Sequence, residues 1–246
     1  MIPRKIYQTH KSIDFVLSHS KLNSYYNSWN VENYEHIFYD DLQADEFMKE
    51  HFTDIYDLYH NLPLPIMKAD LWRYCIIYKN GGIYVDIDTM FKGNDLDSLF
   101  QMEKELILSK EFPHDANFCQ WFFAAPKGSP VLKCVIENVV DKIKNTSDFK
   151  YEHVVHDITG PGIFDRSINE YLNRINDNSV IHVHDSADMM YHHIYHNYSG
   201  QWQGGWIDDV NKFTGIIHMK ITKDREGNYT KLSEKIKFLK KVLNKV

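Results

Sequence analysis

Two carboxylates stand one residue apart in Tyr84-Val85-Asp86-Ile87-Asp88, at the end of an apolar run entered through Gly81-Gly82. In an extended strand side chains alternate between faces, so Asp86 and Asp88 project to one side, roughly 6–7 Å apart at their Cα atoms. Ile83, Val85 and Ile87 then face the other way, into a core. Carboxylates held that close repel each other, and a cation between them keeps both ionised. The pair suits a hard divalent ion, Mg²⁺ or Mn²⁺, which takes oxygen ligands and shares its shell with a diphosphate. Alone, Asp-x-Asp is a common triplet, and its plain alternative is a strand end with two solvated carboxylates.

The elements that position the pair are legible upstream. Ile66 to Lys79 reads as a helix, with Met67, Leu71, Tyr74, Cys75 and Tyr78 forming one buried stripe at helical spacing. Pro63 and Pro65 precede it, and Asn80-Gly81-Gly82 ends it with residues that tolerate positive φ. The unit is helix, glycine turn, strand, acidic pair. Asp70 and Arg73, three apart, share a helical face. On the surface they would form an ion pair worth little. Turned into a cleft, the carboxylate would accept bonds from sugar hydroxyls and the guanidinium would meet phosphate or hydroxyl oxygens.

Over Lys68-Ala69-Asp70-Leu71-Trp72-Arg73-Tyr74 and Tyr78-Lys79-Asn80-Gly81-Gly82-Ile83-Tyr84-Val85-Asp86-Ile87-Asp88 the chain resembles the DXD sugar-binding glycosyltransferases, glycosyltransferase family 32. That group includes yeast α-mannosyltransferases and bacterial capsular polysaccharide transferases, and the likeness extends distantly to the catalytic domain of the clostridial glucosylating toxins. Further segments fit in the same order. Ile2 to Thr9 resembles the opening strand, although Tyr7 stands where the family commonly has His. Ser28-Trp29, Asn33-Tyr34-Glu35 and Phe38-Tyr39-Asp40-Asp41 resemble the next strand and its approach. Phe122 to Pro130 resembles the segment beyond the metal site, with Gln120 and Ser129 replacing an expected Asn and His. Thr159-Gly160-Pro161-Gly162 matches an element near the acceptor side, and His196 to Trp202 resembles the closing His, Ser, Trp element.

The resemblance implies an α/β fold of the GT-A type, a mixed, mostly parallel central sheet flanked by helices. It implies a metal-dependent transferase that moves a sugar from a UDP- or GDP-sugar to a glycan, lipid-linked or other hydroxyl acceptor, with retention of anomeric configuration. Asp88 would bind Mn²⁺ or Mg²⁺ directly, and Asp86 would contact both ion and ribose. His196 is the third ligand by motif position, with His192, His193 and His218 near enough in sequence to compete. Ser199 and Trp202 would close over the diphosphate, Asp70 and Arg73 would hold the donor sugar beside Tyr84, and Gln8 and Trp29 would help seat the base. No nucleophile is assigned. A front-side mechanism, in which the leaving phosphate helps deprotonate the acceptor, accounts for that gap.

The chain has 246 residues and a formal charge of −6. That length supports one substantial core, and no Pro/Ser-rich linker, low-complexity tract or repeat divides it. One domain over residues 1–230 is expected, with a basic amphipathic helix over 231–246. In that tail Leu232, Ile236, Leu239, Leu243 and Val246 form an apolar stripe among Lys235, Lys237, Lys240, Lys241 and Lys245. Such a helix either packs on the domain or lies on an anionic membrane surface, where lipid-linked acceptors reside. The negative balance argues against nucleic acid as a partner, because phosphate-backbone binding needs clustered cations.

No signal peptide or membrane span is visible in the sequence. Cys75, Cys119 and Cys134 are odd in number and lack metal-type spacing, so reduced thiols in a cytoplasmic compartment are expected. The Asn-x-Ser/Thr triplets at Asn145, Asn197 and Asn228 would then stay unused. Eukaryotic members of the resembled family often carry an anchor, so its absence here favours a bacterial or viral enzyme or a shortened piece.

Rival readings are weaker. A haloacid-dehalogenase-type phosphatase also places Asp-x-Asp after a strand, but wants Thr or Val where this chain has Met90. A calcium loop needs oxygen ligands at alternating positions, and Met90 breaks that series. A toxin-like protein glycosyltransferase needs extra helical subdomains for which the chain is short. A degenerate sugar-nucleotide binder would keep the fold and lose turnover, yet Asp70, Arg73, Asp86 and Asp88 are all present.

Overall fold

A computed structural model describes residues 1–115, 117–146 and 154–197. Short apolar strands form its centre: β1 (Lys5–Thr9), β2 (Glu35–Tyr39), β3 (Gly82–Val85), β5 (Leu106–Ser109), β6 (Phe122–Ala125) and β7 (Ile181–His184), in the order β2-β1-β3-β6-β5-β7. Neighbours pair in parallel except β6, which runs antiparallel to both β3 and β5. β4 (Thr89–Phe91) and β8 (Ile194–His196) make a separate antiparallel ribbon. Helices α1 (Ile13–Ser18) and α2 (Ser20–Ser28) follow β1, and α3 (Asp41–His51), α4 (Tyr56–His60) and α5 (Pro65–Asn80) separate β2 from β3. α6 (Asp97–Phe100) lies between β4 and β5, and α7 (Pro130–Asn145), α8 (Val154–Ile158) and α9 (Pro161–Ile175) precede β7. α10 (Ser186–Asp188) and a π-helical turn, Met189–His193, lead into β8. This is the mixed, mostly parallel α/β arrangement of the GT-A type.

Strand alternation sorts the core into two layers. Tyr7, Tyr84, Phe123 and Leu108 face α3, α5, α7 and α9, while Ile6, Ile83, Val85 and Phe122 face Trp29, Phe100 and Met189 on the other side. β3, β5 and β6 are buried along their whole length, which is why they read as continuous apolar runs rather than alternating ones.

Two expectations change here. The helix α5 spans the predicted segment, with Pro65 in its first turn and Gly81 at its end, but it is buried without a break from Asp70 to Ile77 and Tyr78 is only half-buried. It is sandwiched between sheet and helices, so a single stripe does not describe it. The strand carrying the acidic pair stops at Val85. Asp86-Ile87-Asp88 form a turn instead, because the Asp86 carbonyl accepts the Thr89 N–H (3.1 Å), the Thr89 hydroxyl (2.6 Å) and the Gln8 amide (3.1 Å). Ile87 is therefore half-buried rather than in the core.

The glycines at the end of α5 are required. Gly81 and Gly82 have φ of 69° and 120°, and a Cβ on either would come within 2.7 Å of backbone at Lys127 or Lys5. The three cysteines are buried free thiols. Among the described residues no helix is long and apolar enough to cross a membrane. The expected helix over 231–246 lies outside the described residues, as do Ser199 and Trp202.

Candidate functional site

The turn after β3 meets the end of β8. Thr89 pairs with His196 across the ribbon, and the Asp88 carbonyl accepts the N–H of Asn197 at 3.0 Å. That register brings His196 Nε2 to 3.3 Å from Asp88 Oδ1. One ligand atom each from Asp86, Asp88 and His196 lies within 4.8 Å of the others. Two carboxylates and an imidazole in that space fit a divalent cation. Of the competing histidines, His193 instead pairs with Asp188 at 3.2 Å, and His218 lies outside the described residues.

Behind the turn sits a closed charge network. Arg73 contacts Asp70 Oδ1 at 3.0 Å and Asp86 Oδ1 at 3.2 Å, donates to the Gln120 carbonyl at 3.1 Å, and lies over the Tyr84 ring at 4.7 Å. The Tyr84 hydroxyl donates to Asp86 Oδ1 at 2.5 Å. Asp70 also accepts from the Thr159 hydroxyl (2.9 Å) and the Gln120 amide (3.2 Å), and the Tyr74 hydroxyl donates to the Thr159 carbonyl and to Gln120 Oε1. Asp70 is 0% and Arg73 3% exposed, so they are not a surface pair. Burial pushes the Asp70 carboxyl up to about 6 against the pull of Arg73. Burial also raises Asp86, opposed by Arg73 and reinforced by the like charge of Asp88.

Gln8 and Trp29 lie beneath the turn. Both are fully buried. The Gln8 amide donates to the Asp86 carbonyl and its oxygen faces His36 Nε2 at 2.8 Å. The Trp29 indole N–H reaches the carbonyl and hydroxyl of Thr89 at 3.1 and 3.2 Å. In this arrangement their polar atoms brace the acidic turn.

A cavity of about 280 Å³ opens beside the C-terminal ends of β1 and β2, lined by Thr9, Asp41, Tyr59, Lys68, Ala69 and Trp72 among others. The capping box of Asp40 and Gln43 starts α3 directly after β2 and so sets Asp41 at this edge. The indole N–H of Trp72 is buried without a hydrogen-bond partner among the described residues. His10, which follows β1 at this end of the sheet, has its pKa lowered by burial.

Thr159, Gln120 and Thr89 belong to this site without having been assigned to it by the sequence. Thr159 and Gln120 stood in resembled segments, but no spacing reveals that they meet Asp70. Trp72 was visible only as part of a motif.

Residues 8–106 match the family described as "Glycosyltransferase sugar-binding region containing DXD motif". An initiation-specific alpha-1,6-mannosyltransferase of Schizosaccharomyces pombe is 31% identical over 199 residues, covering 70% of this chain and 49% of its own length. The protein of the same name from Candida albicans is 27% identical over 209 residues, 70% of this chain and 54% of its own. Among solved structures, one described as PaToxG Glycosyltransferase has a TM-score of 0.49 at 17% identity over 73% of each chain, a likeness too loose to argue from. The chain spans about half the length of the curated relatives it matches.

Proposed function

The chain belongs to the glycosyltransferase family whose sugar-binding region contains a DXD motif, and on that footing we propose that it transfers a sugar from a nucleotide-sugar donor to a hydroxyl acceptor, using a divalent cation. The observation that carries this reading is the convergence of Asp86, Asp88 and His196 within 4.8 Å. Asp86, Asp88 and His196 would hold the ion, and the imidazole favours Mn²⁺ over Mg²⁺, which prefers an all-oxygen shell. When bound, the ion neutralises charge that builds on the leaving diphosphate.

The chain's own groups orient the rest. Arg73 and the Tyr84 hydroxyl fix the Asp86 carboxylate, and Asp70, anchored by Thr159 and Gln120, fixes Arg73. Asp70, Arg73, Tyr84 and Asp86 would border the donor sugar and ribose. The cavity beside β1 and β2, with Lys68 as donor and Asp41 as acceptor, would take part of the nucleotide, with Gln8 and Trp29 supporting the turn beside it. Ser199 and Trp202 would close over the diphosphate, and the basic tail 231–246 would reach a membrane carrying a lipid-linked acceptor. The α-1,6-mannosyltransferase relatives support mannose as the sugar.

A panel of UDP- and GDP-sugars with Mn²⁺, Mg²⁺ or chelator tests the proposal by thermal shift and by release of nucleoside diphosphate. Manganese-dependent stabilisation and donor hydrolysis by one sugar nucleotide are expected. No shift and no hydrolysis with any member would overturn it.

A further inference from the structure

Trp121 touches the ion-binding group twice. Its carbonyl accepts the N–H of Asp86 at 2.8 Å, just beyond the last β3–β6 pair, Val85 with Phe122. Its indole ring lies over the imidazole of His196, centroids 4.7 Å apart and planes 19° from parallel. The indole N–H in turn donates to Glu111 Oε2 at 3.3 Å, and the residue is only 3% exposed. A core tryptophan needs one acceptor for its N–H. Trp121 has that acceptor and also meets two of the three residues of the ion-binding group, from a segment that supplies none of them.

An imidazole ligates well only when its ring plane is held, since both χ angles otherwise rotate away from the ion. The backbone register of β4 and β8 brings His196 to Asp88, but it does not set that plane. A nearly parallel, buried ring does.

We propose that Trp121 is a positioning residue for the ion-binding group, its indole holding the ring plane of His196, with Glu111 fixing the indole. This rests on the metal reading above. Removing such a support typically weakens metal binding by about 10-fold. The test is calorimetric titration of the full chain with Mn²⁺ alone. Trp121→Leu is expected to weaken Mn²⁺ binding about 10-fold, and to cost nothing further in a His196→Ala background, because coupled residues are non-additive. Glu111→Ala, a change in a half-buried loop residue that leaves the core filled, is expected to weaken binding about 3-fold, and it serves where Trp121→Leu does not fold. A merely structural Trp121 would lower the melting temperature and leave Mn²⁺ affinity unchanged. That result, or an equal loss with and without His196, overturns the inference alone. A wild-type chain that takes up no Mn²⁺ overturns the metal reading together with it.

Discussion

Asp86 and Asp88 are two residues apart and answer to different partners. Asp86 belongs to a network closed within the protein, where Arg73 and Tyr84 engage it and Arg73 is itself held by Asp70. Asp88 points at His196, the one group of the metal set that comes from the far end of the described chain. One side carries its own cation, and the other gathers ligands for a cation from solution. Stability and binding should therefore separate between them.

Arg73→Met should show the largest effect. Without the guanidinium, the fully buried Asp70 is left with no counter-charge and the part-exposed Asp86 loses its partner, a loss of about 3–5 kcal/mol. Urea unfolding would reveal it as a lower midpoint, with donor turnover lost as well. Arg73→Lys keeps the charge but loses the planar fork, so a smaller stability loss with impaired turnover is expected.

Asp88→Asn should do the opposite. Stability should fall by less than in Arg73→Met, because relief of repulsion with Asp86 offsets part of the lost His196 contact. Mn²⁺ uptake in calorimetry should disappear. Equal stability losses in Arg73→Met and Asp88→Asn would erase the distinction between the two carboxylates.

The acid range sharpens the same comparison. Asp70, raised to about 6 by burial, contributes stability that is full below the unfolded value near 4 and is lost as pH rises to about 6. His36, lowered to about 4 by burial, contributes stability that is full above the unfolded value near 6.5 and is lost as pH falls to about 4. Between those limits the two slopes oppose. Asp70→Asn should make stability climb more steeply with pH across this window, by on the order of 2 kcal/mol, and His36→Gln should flatten or invert it. Denaturation midpoints at closely spaced pH values would read both slopes.

Trp29→Phe should give the smallest effect. It removes the N–H that braces Thr89 while keeping an aromatic ring in the core, for a loss of about 1 kcal/mol. A Mn²⁺ affinity two- to three-fold weaker, measured by titration, would assign Trp29 to the support of the turn.

The sequence made much of this legible because the relevant distances are short along the chain. Helical period placed Asp70 and Arg73 on one face, and Asn80-Gly81-Gly82 marked the end of α5 and the start of β3, as observed. The motif order pointed to His196, which does lie with Asp86 and Asp88. Gln8 and Trp29 are assigned to the base only through the resemblance. Nothing local shows that their polar atoms are consumed by Asp86 and Thr89.

Residue types, their spacing and the forced positive φ at Gly81 and Gly82 were enough to set a strand after a helix and an acidic pair at its end, since those follow from backbone sterics and from the 3.6 and 2.0 periods. Whether the pair would sit in a strand or a turn depended on three donors that converge on one carbonyl from β1 and from Thr89. Whether Asp70 and Arg73 would be surface ions or a buried network depended on Thr159, 89 residues away. Burial and charge pairing are properties of chain segments brought together, and long-range packing alone assembles them.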